Sequence, residues 1–160
     1  MKTTKLKIID RILSVIKDSH TIAVCSHMRP DGDCIGSSLG LTLALLDLGK
    51  EVTCWNQDSI PSKLQFLDPT RIIQTPRHIK RPFDCVIAVD SASIERLGNV
   101  QEHIVNRKQL INIDHHTSNT RFGDINWIAS REPSSGELIY RLIKEAGWKI
   151  TSNIADCLFT

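Results

Sequence analysis

Three short apolar runs that end in aspartate or histidine constrain the fold of this chain more than any other feature. The runs cover residues 22–25, 86–89 and 110–113, and the polar clusters behind them begin at His27, Asp90 and Asp114. Runs of this length, bounded by turn-forming residues, are typical of buried strands. Carboxylates are costly to bury in a core unless they are paired or bind a metal. We therefore predict a binding site where these strands end.

Helical patterns alternate with the apolar runs. Ile9, Leu13 and Ile16 recur at helical spacing and predict a helix over about residues 4–18. Further helices are predicted at 34–48, at a short segment capped by Ser59, at 134–146 with Ser134 as the cap, and from Thr151 onward. Strands are predicted at 21–26, 51–55, 71–74, 85–90, 110–114 and, as an extended edge, 124–128. This alternation predicts an α/β fold with a mostly parallel, doubly wound sheet flanked by helices.

Composition limits the classes of protein and partner. The chain has 160 residues, of which 41% are hydrophobic and 24% charged, as expected of one globular domain. A formal net charge of +2 argues against a long nucleic-acid duplex as the partner, but not against a short phosphate ligand. The five cysteines form no C-x-x-C pair, which favours a reducing, cytoplasmic setting. No signal peptide or membrane span is predicted.

The polar clusters together predict a site for two metal ions. Ligands of an open α/β sheet bind beyond the carboxyl ends of its strands, where all three clusters lie. The candidate residues are His27, Asp31, Asp33, Asp90, Asp114, His115 and His116. Oxygen-rich sites with some imidazole suit Mn²⁺ or Mg²⁺, and two such ions ~3.5–4 Å apart can promote phosphoryl displacement. Taken one loop at a time, these residues are also compatible with ordinary turns and helix caps.

Gly32, Gly36 and Gly40 leave two interpretations open. Their G-x-x-x-G-x-x-x-G spacing differs from the G-x-G-x-x-G of dinucleotide-binding folds. Asp31 and Asp33 flank the first glycine and would repel a pyrophosphate unless metal ions lay between them. The segment that begins at Gly36 is therefore expected to serve either close packing or phosphate contact at a helix N-terminus.

These motifs resemble those of the DHH phosphoesterase superfamily, which is named for its Asp-His-His triplet. Residues 27–37 resemble the first family motif, residues 89–98 the second, and residues 112–119 the third. The amino-acid sequences of the motifs and of residues 134–140 are most similar to those of the bacterial nanoRNase branch, the bifunctional oligoribonucleases and 3′-phosphoadenosine 5′-phosphate phosphatases. The resemblance covers nearly the whole chain and implies the fold of the family's N-terminal catalytic domain.

The resemblance also implies a role for each candidate residue. Five residues would hold two Mn²⁺ ions, for which Mg²⁺ or Co²⁺ are alternatives: His27 and Asp31 the first ion, Asp33 and His115 the second, and Asp90 both. Asp114 would orient its neighbours as part of the catalytic machinery. His116 would contact the scissile phosphate and protonate the leaving oxygen. Asn119 would fix the loop or touch the substrate.

Two departures from the family pattern affect what we expect of residues 1–160. The second motif reads Asp90-Ser91-Ala92-Ser93 where Asp-Thr-Ser-Asp is more usual, a change that spares the proposed ligand. A fourth motif with one more metal-binding aspartate would begin where the chain ends, at Thr160. We therefore expect a DHH catalytic domain that is incomplete at its C-terminus and lacks the family's C-terminal substrate-binding domain.

The expected activity of the intact protein is Mn²⁺-dependent hydrolysis of short single-stranded RNA to mononucleotides, of 3′-phosphoadenosine 5′-phosphate to AMP, or of both. A first alternative is a phosphodiesterase for cyclic or linear dinucleotides, because the same core serves both activities. A second, from another class, is a metal- or nucleotide-binding module without turnover. Residues 1–160 alone are expected to be inactive, and a homodimer is left open.

Overall fold

Helices and strands alternate along the computed structural model, which describes residues 2–77 and 82–160, with side chains from Ile8 onward. The strands are β1 (Thr21–Ser26), β2 (Glu51–Trp55), β3 (Ile73–Gln74), β4 (Phe83–Val89), β5 (Arg107–Asp114) and β6 (Ile125–Ile128). The α-helices are α1 (Lys2–Asp18), α2 (Gly32–Asp47), α3 (Val100–His103), α4 (Ser135–Glu145) and α5 (Ser152–Leu158). Two 3₁₀ segments lie at Ser62–Leu67 and Ile94–Leu97. In this part of the chain no helix is both long enough and apolar enough to cross a membrane.

The strands form one sheet in the order β3-β2-β1-β4-β5-β6, and every neighbouring pair is parallel. The chain moves outward from β1 to β3 and then returns to the other side of β1 with β4. Where the strand order reverses in this way, a crevice opens at the carboxyl ends of the two central strands, and ligands bind there. The predicted α/β class is confirmed, and the sheet places β1 and β4 next to each other.

Apolar side chains cover both faces of the sheet. Ile22 and Val24 of β1 belong to the core beneath α1, α2 and α4, whereas Ala23 and Cys25 belong to the core on the opposite face. All four of these side chains have no exposed surface. Parallel strands buried on both faces read as continuous apolar runs rather than alternating ones. The apolar runs of the sequence therefore reflect the burial of both faces.

Two predicted elements at the β3 side of the sheet are wrong in detail. The segment near Ser59 is a 3₁₀ helix over Ser62–Leu67 that follows Pro61 and has no side-chain cap. The strand predicted at 71–74 is only Ile73–Gln74, because the carboxylate of Asp68 accepts the N–H groups of residues 72 and 73 and curves the chain there. The short helix α3 and the Ile94–Leu97 segment were not predicted.

The glycines of α2 let α5 pack closely against it. A Cβ atom on Gly36 would overlap the carbonyl oxygen of Cys157. A Cβ atom on Gly40 would lie 2.7 Å from the side chain of Leu158. Of the two interpretations of these glycines, close packing is therefore confirmed. The helix start predicted at Thr151 is also confirmed, because its hydroxyl accepts the N–H of Ile154 and caps α5.

Candidate metal centre

The polar side chains that follow β1, β4 and β5 meet at the carboxyl edge of the sheet. Nε2 of His27 lies 3.3 Å from Oδ2 of Asp90. Nε2 of His115 lies 3.6 Å from Oδ1 of the same carboxylate. Asp90 is only 2% exposed, so it lies buried between two histidines from different motifs. The convergence expected of the three strand ends is observed.

Two groups of candidate ligand atoms share Asp90. Within each group the ligand atoms lie within 4.8 Å of one another, and the groups are His27 with Asp31 and Asp90, and Asp90 with His115 and His116. Imidazole nitrogens and carboxylate oxygens are ligands that Mn²⁺ and similar divalent cations accept. The donor set therefore fits such cations, and a carboxylate common to both groups fits a bridging role.

The backbone of Asp90 is in the left-handed region, with φ of 55°. Residues with a Cβ seldom adopt this conformation, although aspartate tolerates it better than most. The N–H of Asp90 still donates to the carbonyl of Ile113, at 3.0 Å, so the β4–β5 pairing extends one residue past the strand. This hydrogen bond holds the backbone at Asp90, where the chain turns, and the turn sets the position of the carboxylate. Uncommon backbone conformations of this kind cluster at functional sites.

Asp31 has a structural role as well as a candidate metal role. Its Oδ1 accepts the N–H of Cys34 at 2.9 Å and caps α2. The same oxygen lies 3.8 Å from Nε2 of His27, and the Asp31 side chain is 67% exposed. The alternative of a helix cap is thus confirmed for this residue, and its place beside His27 is compatible with a metal ligand.

Asp33 lies outside both groups and is held by the N-terminus of α4. Its two oxygens accept the N–H groups of Ser135 and Gly136, each at 2.8 Å. Oδ2 of Asp33 also lies 3.4 Å from Nε2 of His115. The hydroxyl of Ser135 donates to Oδ1 of Asp90 at 2.8 Å. The start of α4 therefore contacts two of the five predicted metal ligands.

Asp114 is fully buried and fixes the second histidine of the triplet. Its Oδ1 lies 2.7 Å from Nδ1 of His116, and its Oδ2 accepts from Nδ2 of Asn119 at 2.7 Å. A carboxylate at one ring nitrogen of histidine sets the tautomer and the ring orientation. Asp114 thus orients His116, as the expected role requires.

The side chain of Asn119 is engaged within the protein. Its Nδ2 lies 3.0 Å from the carbonyl of Ser91 and 2.8 Å from Oδ1 of Asn112, in addition to its bond with Asp114. Its Oδ1 accepts the N–H of Arg121 at 2.6 Å. Both polar atoms of this side chain therefore have partners on β5 and in the adjoining loops, which favours the loop-fixing role over substrate contact.

The charges at the centre are balanced by imidazoles. Burial alone would raise the pKa of Asp90, but the hydrogen bonds with His27 and Ser135, together with the charges of His27 and His116, outweigh it, and the pKa lies below its usual value. Burial would lower the pKa of His27, but chiefly the bond with Asp90 raises it to about 11. Burial and then the charge of Asp90 raise the pKa of Asp33. Asp90 is therefore paired with His27, and a metal ion bound between them would take the place of the proton on the imidazole.

Sequence reasoning missed several polar residues that support the centre. Ser135 was interpreted as part of a helix start and of the family resemblance over residues 134–140, without a role at the centre. Asn56, which is fully buried after β2, donates to the carbonyl of His27 at 2.9 Å. Nη2 of Arg96 lies 3.4 Å from Nδ1 of His27. Asn56 follows an apolar run just as the aspartates do, so the same strand-end signal applied to amides would have found it.

Comparisons with known proteins place the chain in one family. Residues 21–160 match the family model described as DHH family, N-terminal domain. The chain is 34% identical over 157 residues to the bifunctional oligoribonuclease and PAP phosphatase NrnA of Thermus thermophilus, covering 98% of this chain and 46% of the relative. It is 30% identical over 142 residues to the protein of the same name from Bacillus subtilis, covering 87% and 44%.

The chain is also similar in fold to a protein of known structure. The exopolyphosphatase-related protein from Bacteroides fragilis superposes with a TM-score of 0.90 at 26% identity, covering 97% of this chain and 48% of that one. The chain thus spans about half the length of each of these relatives.

Proposed function

We propose a phosphoesterase function for this chain, which belongs to the DHH family. The substrates would be short oligoribonucleotides, hydrolysed to mononucleotides, or 3′-phosphoadenosine 5′-phosphate, hydrolysed to AMP, or both. The observation that carries this proposal is the buried position of Asp90 between His27 and His115. The substrate class follows from the names of the two NrnA relatives. Because the chain spans about half their length, the activity is proposed for the protein as a whole.

The proposed centre would hold two Mn²⁺ ions, with Mg²⁺ or Co²⁺ as alternatives. The five ligands would be His27, Asp31, Asp33, Asp90 and His115. Ions bound there would supply Lewis acidity towards a phosphoryl oxygen and would lower the pKa of a water molecule. The protein's own contribution is to fix these side chains before any ion arrives. The backbone turn at Asp90 fixes its carboxylate, and the helix cap formed by Asp31 fixes the carboxylate of that residue.

His116 is proposed to donate a proton to the leaving oxygen. Burial would lower the pKa of His116, but the hydrogen bond with Asp114 and the charges of Asp114 and Asp90 together outweigh it and raise the pKa above its ordinary value. A raised pKa keeps more of the imidazole protonated near neutral pH, as a general acid requires. Asp114 orients the ring, and Asn119 is proposed to hold Asp114 in place rather than to bind the substrate.

Residues 1–160 are proposed as a catalytic domain, with the fourth-motif aspartate and the C-terminal substrate-binding domain of the family needed for full activity. Short single-stranded RNA or a small phosphorylated nucleotide would be the partner. All five cysteines are free and buried, which is consistent with the cytoplasmic location that we propose.

The test is hydrolysis of a substrate panel by the whole protein, rather than by residues 1–160 alone, with and without Mn²⁺. The panel holds di- to pentaribonucleotides, 3′-phosphoadenosine 5′-phosphate and a cyclic dinucleotide, and Asp90→Asn is the matched inactive control. We expect Mn²⁺-dependent release of mononucleotides or AMP that the variant does not show. Turnover of the cyclic dinucleotide alone would favour the alternative phosphodiesterase. Mn²⁺ binding without turnover of any substrate would contradict the enzyme proposal and favour a binding module.

A further inference from the structure

We propose that Ser135 is a positioning residue for the metal centre, whose hydroxyl and backbone N–H hold Asp90 and Asp33 in place for the ions. This inference rests on the proposed function, because it requires a metal centre at Asp90. It goes further by identifying a residue outside the expected ligand set that controls how tightly the centre binds metal.

The geometry around Ser135 carries the proposal. Ser135 is the first residue of α4 and has no exposed surface. Its Oγ donates to Oδ1 of Asp90 at 2.8 Å, and its N–H donates to Oδ2 of Asp33 at 2.8 Å. These partners lie 45 and 102 residues away along the chain. A single residue therefore connects the first turn of α2 with the turn after β4.

The two carboxylates need such a link because they lie close together. Oδ2 of Asp33 and Oδ1 of Asp90 both approach Nε2 of His115, at 3.4 and 3.6 Å. Two carboxylates that approach the same imidazole nitrogen repel each other. Hydrogen bonds from Ser135 and Gly136, at the positive end of the α4 dipole, oppose that effect. The donors thus favour two charged carboxylates side by side.

The hydroxyl is held by a rigid part of the fold. A Cβ atom on Gly136 would lie 3.1 Å from the carbonyl oxygen of Leu158 and 3.4 Å from Oδ1 of Asp33. The first turn of α4 is therefore packed tightly between α5 and the aspartate. Residues that orient metal ligands through hydrogen bonds typically change metal affinity by about 10- to 100-fold when they are removed.

Ser134 separates a positioning role from the simple role of starting a helix. Its Oγ accepts the N–H of Glu137 at 3.1 Å, which makes Ser134 the N-cap of α4. Ser134 and Ser135 are adjacent and chemically identical, but the Oγ contact with Asp90 comes from Ser135. Loss of the cap should cost about 1 kcal/mol of stability and leave the metal ligands where they are. Ser134→Ala is therefore the matched control.

The experiment is calorimetric titration of the 160-residue chain with Mn²⁺, alongside thermal melting in chelator. The variants are Ser135→Ala, Ser134→Ala and Ser135→Thr. We expect Ser135→Ala to weaken Mn²⁺ binding by about tenfold or more. Ser134→Ala should lower the melting temperature with unchanged affinity. Ser135→Thr restores the hydroxyl and should recover most of the affinity, and its melting temperature shows whether the added methyl group is accommodated.

The outcomes separate this inference from the proposed function. If the parent chain binds Mn²⁺ and Ser135→Ala binds it as tightly, the positioning role is overturned while the metal centre stands. An equal loss of affinity in Ser134→Ala would assign the effect to the integrity of the helix start, which also overturns the role. A parent chain that binds no Mn²⁺ overturns both the centre and the inference. If the threonine variant does not fold, the comparison of the two alanine variants decides.

Discussion

Asp84 and Asp90 lie near the two ends of the same strand, β4, and are held by different kinds of partner. Asp84, near the amino end, pairs with Nζ of Lys108 at 2.7 Å. Its Oδ2 also accepts the N–H groups of His20 and Thr21, at 2.9 and 3.1 Å. Asp90, beyond the carboxyl end, is buried among histidines and has a left-handed backbone.

The difference shows which end of the sheet is adapted to binding. The pair with Lys108, and then the backbone N–H groups, hold the pKa of Asp84 well below its usual range. A lysine remains charged at any physiological pH, so it satisfies Asp84 permanently. The partner of Asp90 at 3.3 Å is instead the imidazole of His27, a group that can release a proton and accept a metal ion. The amino end therefore serves stability, and the carboxyl end is the one suited to the metal centre that we propose.

The largest effect on Mn²⁺ affinity is expected when the carboxylate of Asp90 is replaced by an amide, and the same replacement at Asp84 is the comparison. Asp90→Asn should weaken Mn²⁺ binding by at least about 100-fold, because it removes a carboxylate common to both ligand groups. The amide keeps the volume of the carboxylate, so the fold should be retained. Asp84→Asn is the matched control on the same strand and should leave the affinity unchanged. Calorimetry with Mn²⁺ measures both variants, and equal affinities would contradict the comparison.

Asn119→Ala tests whether the carboxyl edge depends on its buried polar network. The change removes the Asn119 donor from Oδ2 of Asp114 and from Oδ1 of Asn112, two fully buried residues. We expect a loss of about 2 kcal/mol in the free energy of unfolding. Asn126→Ala on β6 is the control, because that side chain bonds only to the N–H and carbonyl of Gly123. Urea denaturation measures both, and a similar loss in the two variants would exclude a special role for Asn119.

Asp84→Ala, at the amino edge, should lower the stability of the fold without changing the Mn²⁺ affinity. Two backbone N–H groups lose their acceptor, and the pair with Lys108 is lost. The Asp84 side chain is 24% exposed and that of Lys108 71%, so solvent reduces the effect to about 1 kcal/mol. For a domain of this size that corresponds to about 2–4 °C in melting temperature. Mn²⁺ affinity should not change, and a loss of affinity would show that the two ends are coupled.

The strands were predictable where apolar runs end abruptly. β1 and β2 have the predicted bounds, because polar residues or glycine border their runs. β4 begins two residues earlier than predicted, since Asp84 lies inside the strand. Its carboxylate is satisfied by Thr21 of the neighbouring strand, which is a contact that no local pattern reveals. A polar residue can thus extend a strand when tertiary structure supplies its partner.

The convergence of the site was predictable, but the supporting residues were not. Parallel strands bring their carboxyl ends to one edge, so apolar runs ending in Asp90 and Asp114 indicated a common site. Ser135 contacts Asp33, 102 residues away along the chain, and this contact depends on how the N-terminus of α4 packs against the first turn of α2. The local sequence around Ser135 indicates only a helix start. Packing, rather than spacing, determines such partners.

Acid provides the smallest and most selective test of the two ends. The lowered pKa of Asp84 means that the unfolded chain, with an ordinary value of about 4, takes up a proton before the folded chain does. The stabilisation by Asp84 is therefore fully present above about pH 5 and is lost as the pH falls below about 4. The difference in unfolding free energy between the parent and Asp84→Ala should be constant from pH 7 to 5 and then shrink. Denaturation at several pH values in low salt measures it, and 1 M salt should reduce the part that comes from the exposed Lys108. A difference that grows in acid would contradict the assignment of Asp84 as the permanently charged end of β4.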